Sequence, residues 1–284
     1  MKMLTVLLFT AGLFTAVAFA QNWQPNVTDA RFETRSSSGD LDSQIRAVPA
    51  TWFGYAVKTT RGDRRNCCWN GSNQCGCSLE EGRAGVTITG TRSNGPVQLE
   101  GSDALAVLFR VANNNIEKIQ VYSLSCPLDA GGLPFVWLTG VSAKASLAHL
   151  EKLVRKDTSG HIADGAIFAI SQHDDPEADA ILEKAAKTES SAHVRGQALF
   201  WLAQKAGDRA SSIITDAIKN DPDTEVKKRA VFALSQLPRD EAVPKLIEIA
   251  RSQRNPEVRK QAFFWLGQSK DPRALSFIEE VLAK

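Results

Sequence analysis

The stretch Asn255-Pro-Glu-Val-Arg-Lys-Gln-Ala-Phe-Phe-Trp-Leu-Gly-Gln-Ser-Lys-Asp-Pro-Arg-Ala-Leu275 decides the fold of this chain. Its apolar residues fall at helical spacing on both sides of a short turn, Asp271-Pro272. The same positions recur upstream at a fixed step of 32 residues: Ala262 follows Ala230, Ala198 and Ala166, and Phe264 follows Phe232, Phe200 and Phe168. Leu266 answers to Leu234, Leu202 and Ile170, Gln268 to Gln236, Gln204 and Gln172, and Val258 to Val226, Val194 and Ile162. A second series, Ala178, Ala210, Ala242 and Ala274, follows the glutamines by six residues. One period held at several positions across four copies marks a repeat architecture.

Each unit reads as two amphipathic helices around a turn containing Asp or Pro, such as Asp174-Asp-Pro176 and Pro238-Arg-Asp240. Asp accepts from the free amides of a helix start and Pro fits its first turn. One helical pair cannot bury its apolar face, whereas stacked pairs can, so the units predict a solenoid. Ser146-Leu-Ala-His-Leu-Glu-Lys-Leu-Val154 matches the second helix of a unit, with Ser146 one period before Ala178. Residues 142–284 therefore hold half a unit plus four units, about nine helices.

Upstream the pattern differs. Residues 48–141 read as a β-rich domain: Pro49-Ala-Thr-Trp-Phe-Gly-Tyr-Ala-Val-Lys58 is aromatic and β-branched, and Gly85-Val-Thr-Ile-Thr-Gly90 alternates. Leu105–Val111 and Ile116–Ser123 flank Ala112-Asn-Asn-Asn115, a hairpin signal because Asn tolerates the left-handed backbone region of a tight reversal. Phe135–Leu138 suits a further strand. Residues 21–47 are polar and read as an arm or an irregular strand segment. The fold class is α+β with two domains, a β-rich N-terminal one followed by an all-α superhelix.

The stretches Asn255–Leu275 and Asp223-Thr-Glu-Val-Lys-Lys-Arg-Ala-Val-Phe-Ala-Leu234 resemble the short HEAT-like repeats associated with phycobilisome lyases. The resemblance covers residues 143–284 and implies an α/α superhelix that presents a surface to a partner protein. Some proteins of this kind are enzymes, and the repeat-built deoxyhypusine hydroxylase holds iron with His-Glu pairs. No His-Glu dipeptide occurs in this chain.

The first twenty residues read as an address. Lys2 precedes an uncharged apolar run, Leu4–Val17, and Ala18-Phe-Ala20 supplies the small-x-small pattern of signal cleavage. A secreted or periplasmic chain starting at Gln21 is the expectation. Of 284 residues 43% are hydrophobic and 23% charged, and the net charge is +2. These values exclude a disordered or multi-span membrane class, and no charge bias points to nucleic acid.

All five cysteines lie between Cys67 and Cys126. In an oxidising compartment they form a disulfide framework. Cys67 and Cys68 are neighbours and each should pair elsewhere, with two of Cys75, Cys77 and Cys126, leaving one thiol unpaired. The rival readings are a zinc site or redox chemistry, but C-x-x-C spacing is absent.

His161, His193 and Glu225 sit one repeat apart and could share a metal; exposed helix N-termini are the plainer reading. Lys187, Lys219 and Arg251 end successive second helices, where a cation either meets an acidic partner or complements the helix dipole. Trp201 and Trp265 alternate with Ala169 and Ala233, which suggests interlocking between repeats, or an aromatic platform. Arg195, Lys227 and Arg259 follow the repeated valine and read as bridges between units.

No nucleophile elbow, phosphate loop, zincin motif or dinucleotide fingerprint occurs, and no catalytic residue or cofactor is assigned. The expectation is an exported, non-enzymatic scaffold that binds another protein and does not span a membrane. The alternatives are a lyase-like or metal-dependent enzyme built on the repeats, and a thiol redox-sensing module.

Overall fold

The structure, a computed structural model, describes residues 23–47, 50–59, 66–68, 76–80, 103–156, 160–205 and 208–283. The expected signal peptide, the strand expected at 85–90 and Cys75 lie outside these residues. In chain order the elements are β1 (Val27–Thr28), β2 (Arg31–Ser36), α1 (Leu41–Arg46), β3 (Thr51–Lys58), β4 (Cys77–Ser78), β5 (Ala104–Ala112), β6 (Asn115–Ser123), β7 (Leu128–Asp129) and β8 (Pro134–Thr139). Helices follow: α2 (Ala143–Lys156), α3 (His161–Gln172), α4 (Pro176–Thr188), α5 (Ala192–Lys205), α6 (Asp208–Asn220), α7 (Thr224–Ser235), α8 (Arg239–Ser252), α9 (Pro256–Gln268) and α10 (Pro272–Leu282).

Five strands form one mixed sheet in the order β2-β8-β3-β5-β6. β3, β5 and β6 are antiparallel, while β8 lies parallel to both β3 and β2. The β5–β6 hairpin turns on Asn113 and Asn114, at φ 50° and 60°, a conformation that Asn accepts more readily than most residues. The segment 21–47, expected as an arm or an irregular strand segment, supplies in its described part β1, the edge strand β2 and the short helix α1. β2 is exposed along its whole length, so its sequence shows no apolar alternation.

The central strands are buried on both faces, which explains their nearly continuous apolar runs. Successive side chains alternate between two cores. Phe53, Tyr55, Val107, Phe109 and Val111 face α1, α2 and α3 in a core that continues without a break into the repeats. Trp52, Ala106, Leu108, Phe135 and Trp137 face a second core with Cys77, Leu124, Cys126 and Leu128. That side carries a small parallel sheet, β1-β7-β4. The sheet thus seals the first repeat. Helix α3 approaches β6 so closely that a Cβ on Gly165 would lie 2.8 Å from Ile119 Cβ and 2.9 Å from its carbonyl oxygen.

Among the described residues, nine helices from Ala143 onward stack in two layers. α3, α5, α7 and α9 touch in series; in the other layer α2 touches α4, α4 touches α6 and α8 touches α10, and Lys219 on α6 reaches Glu248 on α8. The repeated alanines and valines, including Ala166, Ala198, Ala230, Ala262 and Val258, are fully buried between them. Asp175, Asp223, Asn255 and Asp271 cap α4, α7, α9 and α10, and Pro opens α4, α9 and α10. No helix among the described residues is long and apolar enough to cross a membrane.

Candidate functional site

The repeated phenylalanine lies on the first helix of each unit, where it is only partly covered: Phe168, Phe200 and Phe232 are half-buried and Phe264 is 53% exposed. Trp201 and Trp265 bridge these rings. Trp201 contacts Phe168 of the preceding unit at 4.7 Å between centroids and Phe200 at 5.0 Å. Phe200 stacks on Phe232 at 5.6 Å and 9°. Trp265 then contacts Phe232 and Phe264, both at 4.9 Å. Six rings on α3, α5, α7 and α9 form one ladder. The tryptophans interlock adjacent units, and the small partners Ala169 and Ala233 are completely buried.

Polar groups edge the ladder. Arg229 Nη1 donates to His193 Nδ1 at 3.1 Å and to the His193 carbonyl at 3.3 Å. That fixes the proton on His193 Nε2, which donates to Asp164 Oδ1 at 2.7 Å. Gly196 makes room for Arg229, since a Cβ there would lie 2.5 Å from Arg229 Cδ. Gly196, Gln197, Phe200, Arg229 and Phe232 line a shallow cleft of about 260 Å³. Its floor is a pair of stacked rings and its rim is a guanidinium.

The metal candidates are not brought together. His161 is exposed at the start of α3, His193 is engaged as above, and Glu225 pairs with Lys228 at 3.0 Å. Among the described residues the one group of three or more ligand-type side chains that converges is Cys67, Cys77 and Cys126. These belong to disulfides, Cys67–Cys126 and Cys68–Cys77.

The cation series divides. Lys219 pairs with Glu248 on α8 at 3.2 Å, and Arg251 pairs with Glu280 on α10 at 2.8 Å while lying 5.0 Å from the Phe277 ring centroid. Both tie one second helix to the next. Lys187 is exposed beside a cleft lined by Arg195, Asp216 and Asp221.

A buried polar chain at the sheet–repeat junction was not foreseen from the sequence. Tyr55 Oη contacts Ser146 Oγ at 2.8 Å, Ser146 Oγ contacts His173 Nε2 at 2.9 Å, and His173 Nδ1 contacts the Ala169 carbonyl at 2.8 Å. The carbonyl only accepts, so Nδ1 carries the hydrogen, Nε2 accepts from Ser146, and Ser146 accepts from Tyr55. Every member is satisfied with the imidazole neutral. Burial pushes the His173 pKa down and the Tyr55 phenol up. Ser146 occupies the position of the repeated alanines, and its hydroxyl explains the exception.

Two solved structures show partial likeness. The human deoxyhypusine hydroxylase, in complex with glycerol, is 18% identical over 44% of this chain and 43% of its own, with a TM-score of 0.36. The complex of CpcE and CpcF of phycocyanin lyase from Nostoc is 20% identical over 50% of this chain and 91% of its own, with a TM-score of 0.39. The chain therefore spans less than half the length of the hydroxylase. No curated protein matches the chain. A family model described as HEAT repeats matches residues 211–284, the stretch that contains α7 to α10, the closing helices of the stack that begins at Ala143.

Proposed function

We propose that this is an exported, non-enzymatic scaffold that binds another protein on the aromatic ladder of its first helices. The observation that carries the reading is the continuous, partly exposed series Phe168, Trp201, Phe200, Phe232, Trp265 and Phe264. Repeat solenoids use extended surfaces of this kind for binding. Burying a fully exposed phenylalanine is worth about 1.5–3 kcal/mol, so covering the remaining part of one of these half-buried rings contributes roughly half of that, and aromatic and arginine anchors dominate protein interfaces. Arg229, at the rim, adds a donor for a carboxylate or carbonyl. Export rests on the apolar run Leu4–Val17 with Ala18-Phe-Ala20, and on the disulfide-rich region, which suits a periplasmic or secreted setting.

The test compares the purified protein with its Phe200→Ser/Phe232→Ser variant as bait on an envelope extract of its host. A discrete partner retained by the first and lost by the second, at unchanged helical content, supports the reading. Equal retention by both baits contradicts it.

A further inference from the structure

The two disulfides touch. Cys77 Sγ and Cys126 Sγ, members of different bridges, lie 3.8 Å apart, and the Cys67, Cys77 and Cys126 sulfurs are all within 4.8 Å of one another. Access to them is graded: Cys68 is exposed, Cys67 is half-buried, and Cys77 and Cys126 are 1% and 2% exposed within the second core. The Cys68 amide also donates to Cys77 Sγ at 2.9 Å. A hydrogen bond donated to sulfur stabilises negative charge there.

We propose that the pair is a thiol–disulfide relay, in which reducing equivalents enter at exposed Cys68 and cross the buried Cys77–Cys126 contact to release Cys67. The reductant is an external dithiol. One of its thiolates attacks Cys68 Sγ, breaking the Cys68–Cys77 bond and leaving Cys77 as thiolate. The second thiol of the reductant resolves the mixed disulfide and departs as an oxidised disulfide, and Cys68 takes up a proton. Cys77 thiolate attacks the neighbouring Cys126 Sγ, the Cys67–Cys126 bond breaks, and Cys67 leaves and takes up the second proton. Two electrons and two protons pass from the dithiol to the protein. The product holds one bridge, Cys77–Cys126, and two thiols, Cys67 and Cys68.

Access gives this exchange its direction. The new bridge joins the two most buried sulfurs, where a further reductant reaches it least readily. The thiols released are the two accessible ones, adjacent in sequence on the segment that holds the end of β6 through Asn66. Asn66 accepts from the Ser123 amide at 3.0 Å and donates from its side chain to the Val121 carbonyl at 2.6 Å. Those bonds keep the segment in place while its sulfurs change partner.

The test treats the oxidised full chain with one equivalent of dithiothreitol, traps free thiols with an alkylating agent in acid, and maps crosslinks by mass spectrometry. The relay predicts label on Cys67 and Cys68 with a Cys77–Cys126 crosslink as the main product. Label on Cys68 and Cys77 with Cys67–Cys126 retained overturns it. The Cys75→Ser variant is mapped in parallel to remove the fifth thiol. The same crosslink there supports direct transfer, and its loss contradicts it.

Discussion

Arg195 and Asp221 are joined by two parallel hydrogen bonds, Nε to Oδ2 at 2.8 Å and Nη2 to Oδ1 at 3.0 Å, with side chains only 10% and 6% exposed. The remaining guanidinium nitrogen donates to the Glu189 and Ser190 carbonyls. Burial opposes the charge on Asp221, but the Arg195 bond and the Asp223 amide hold its carboxyl below the ordinary range. The pair locks the start of α5 to the loop before α7. Removing one partner strands the other charge, so Arg195→Ala is expected to cost about 3 kcal/mol in urea unfolding. Arg195→Lys keeps the charge but not the fork and should fall between.

His173 makes stability depend on pH. Its folded pKa lies below the unfolded value because it is buried, with Lys205 adding to the depression; the Ala169 bond and Asp175 oppose it. The unfolded chain therefore takes up the proton first. The contribution is fully present above about pH 6.5, the unfolded value, and is lost as pH falls below it. The melting temperature is expected to drop between about pH 7.5 and about pH 5.5, through this histidine range. His173→Gln should flatten that slope and also lower stability at the upper end, since the polar chain to Ser146 and Tyr55 is broken.

Two helical glycines should respond in opposite directions. Gly165→Ala drives a methyl into Ile119 and its carbonyl, forcing α3 away from β6, at a cost of about 1–3 kcal/mol. At Gly267 nothing lies within 4 Å of an added Cβ, so Gly267→Ala should gain about 0.5–1 kcal/mol from helix propensity. Paired denaturation curves check both.

The repeat half is legible in the sequence because each unit meets only its neighbours, so one period of side chains records the whole stack. The sheet is less legible because its decisive pairing is remote: β2 lies on β8 with Arg31 opposite Pro134, and the exposed Arg31–Ser36 carries no pattern that announces it. The phenylalanine and tryptophan positions stand out as a repeat, but their merging into one ladder depends on the rotation between units, which sequence does not record. Tyr55, Ser146 and His173 meet across 91 and 27 residues. The trace of that meeting in the sequence is a serine at a position that is otherwise alanine. His161, His193 and Glu225 share the repeat period, yet Asp164, Arg229 and Lys228 supply the bonds that hold His193 and Glu225.

The most direct measurement places a photo-crosslinking residue at Phe232, on the ladder, and separately at Lys187, an exposed cation ending α4 in the other helical layer. Each protein is irradiated with an envelope extract of its host. The aromatic-face account predicts one discrete protein adduct from position 232 and none from position 187. An adduct from position 187 alone, or equal adducts from both, contradicts it.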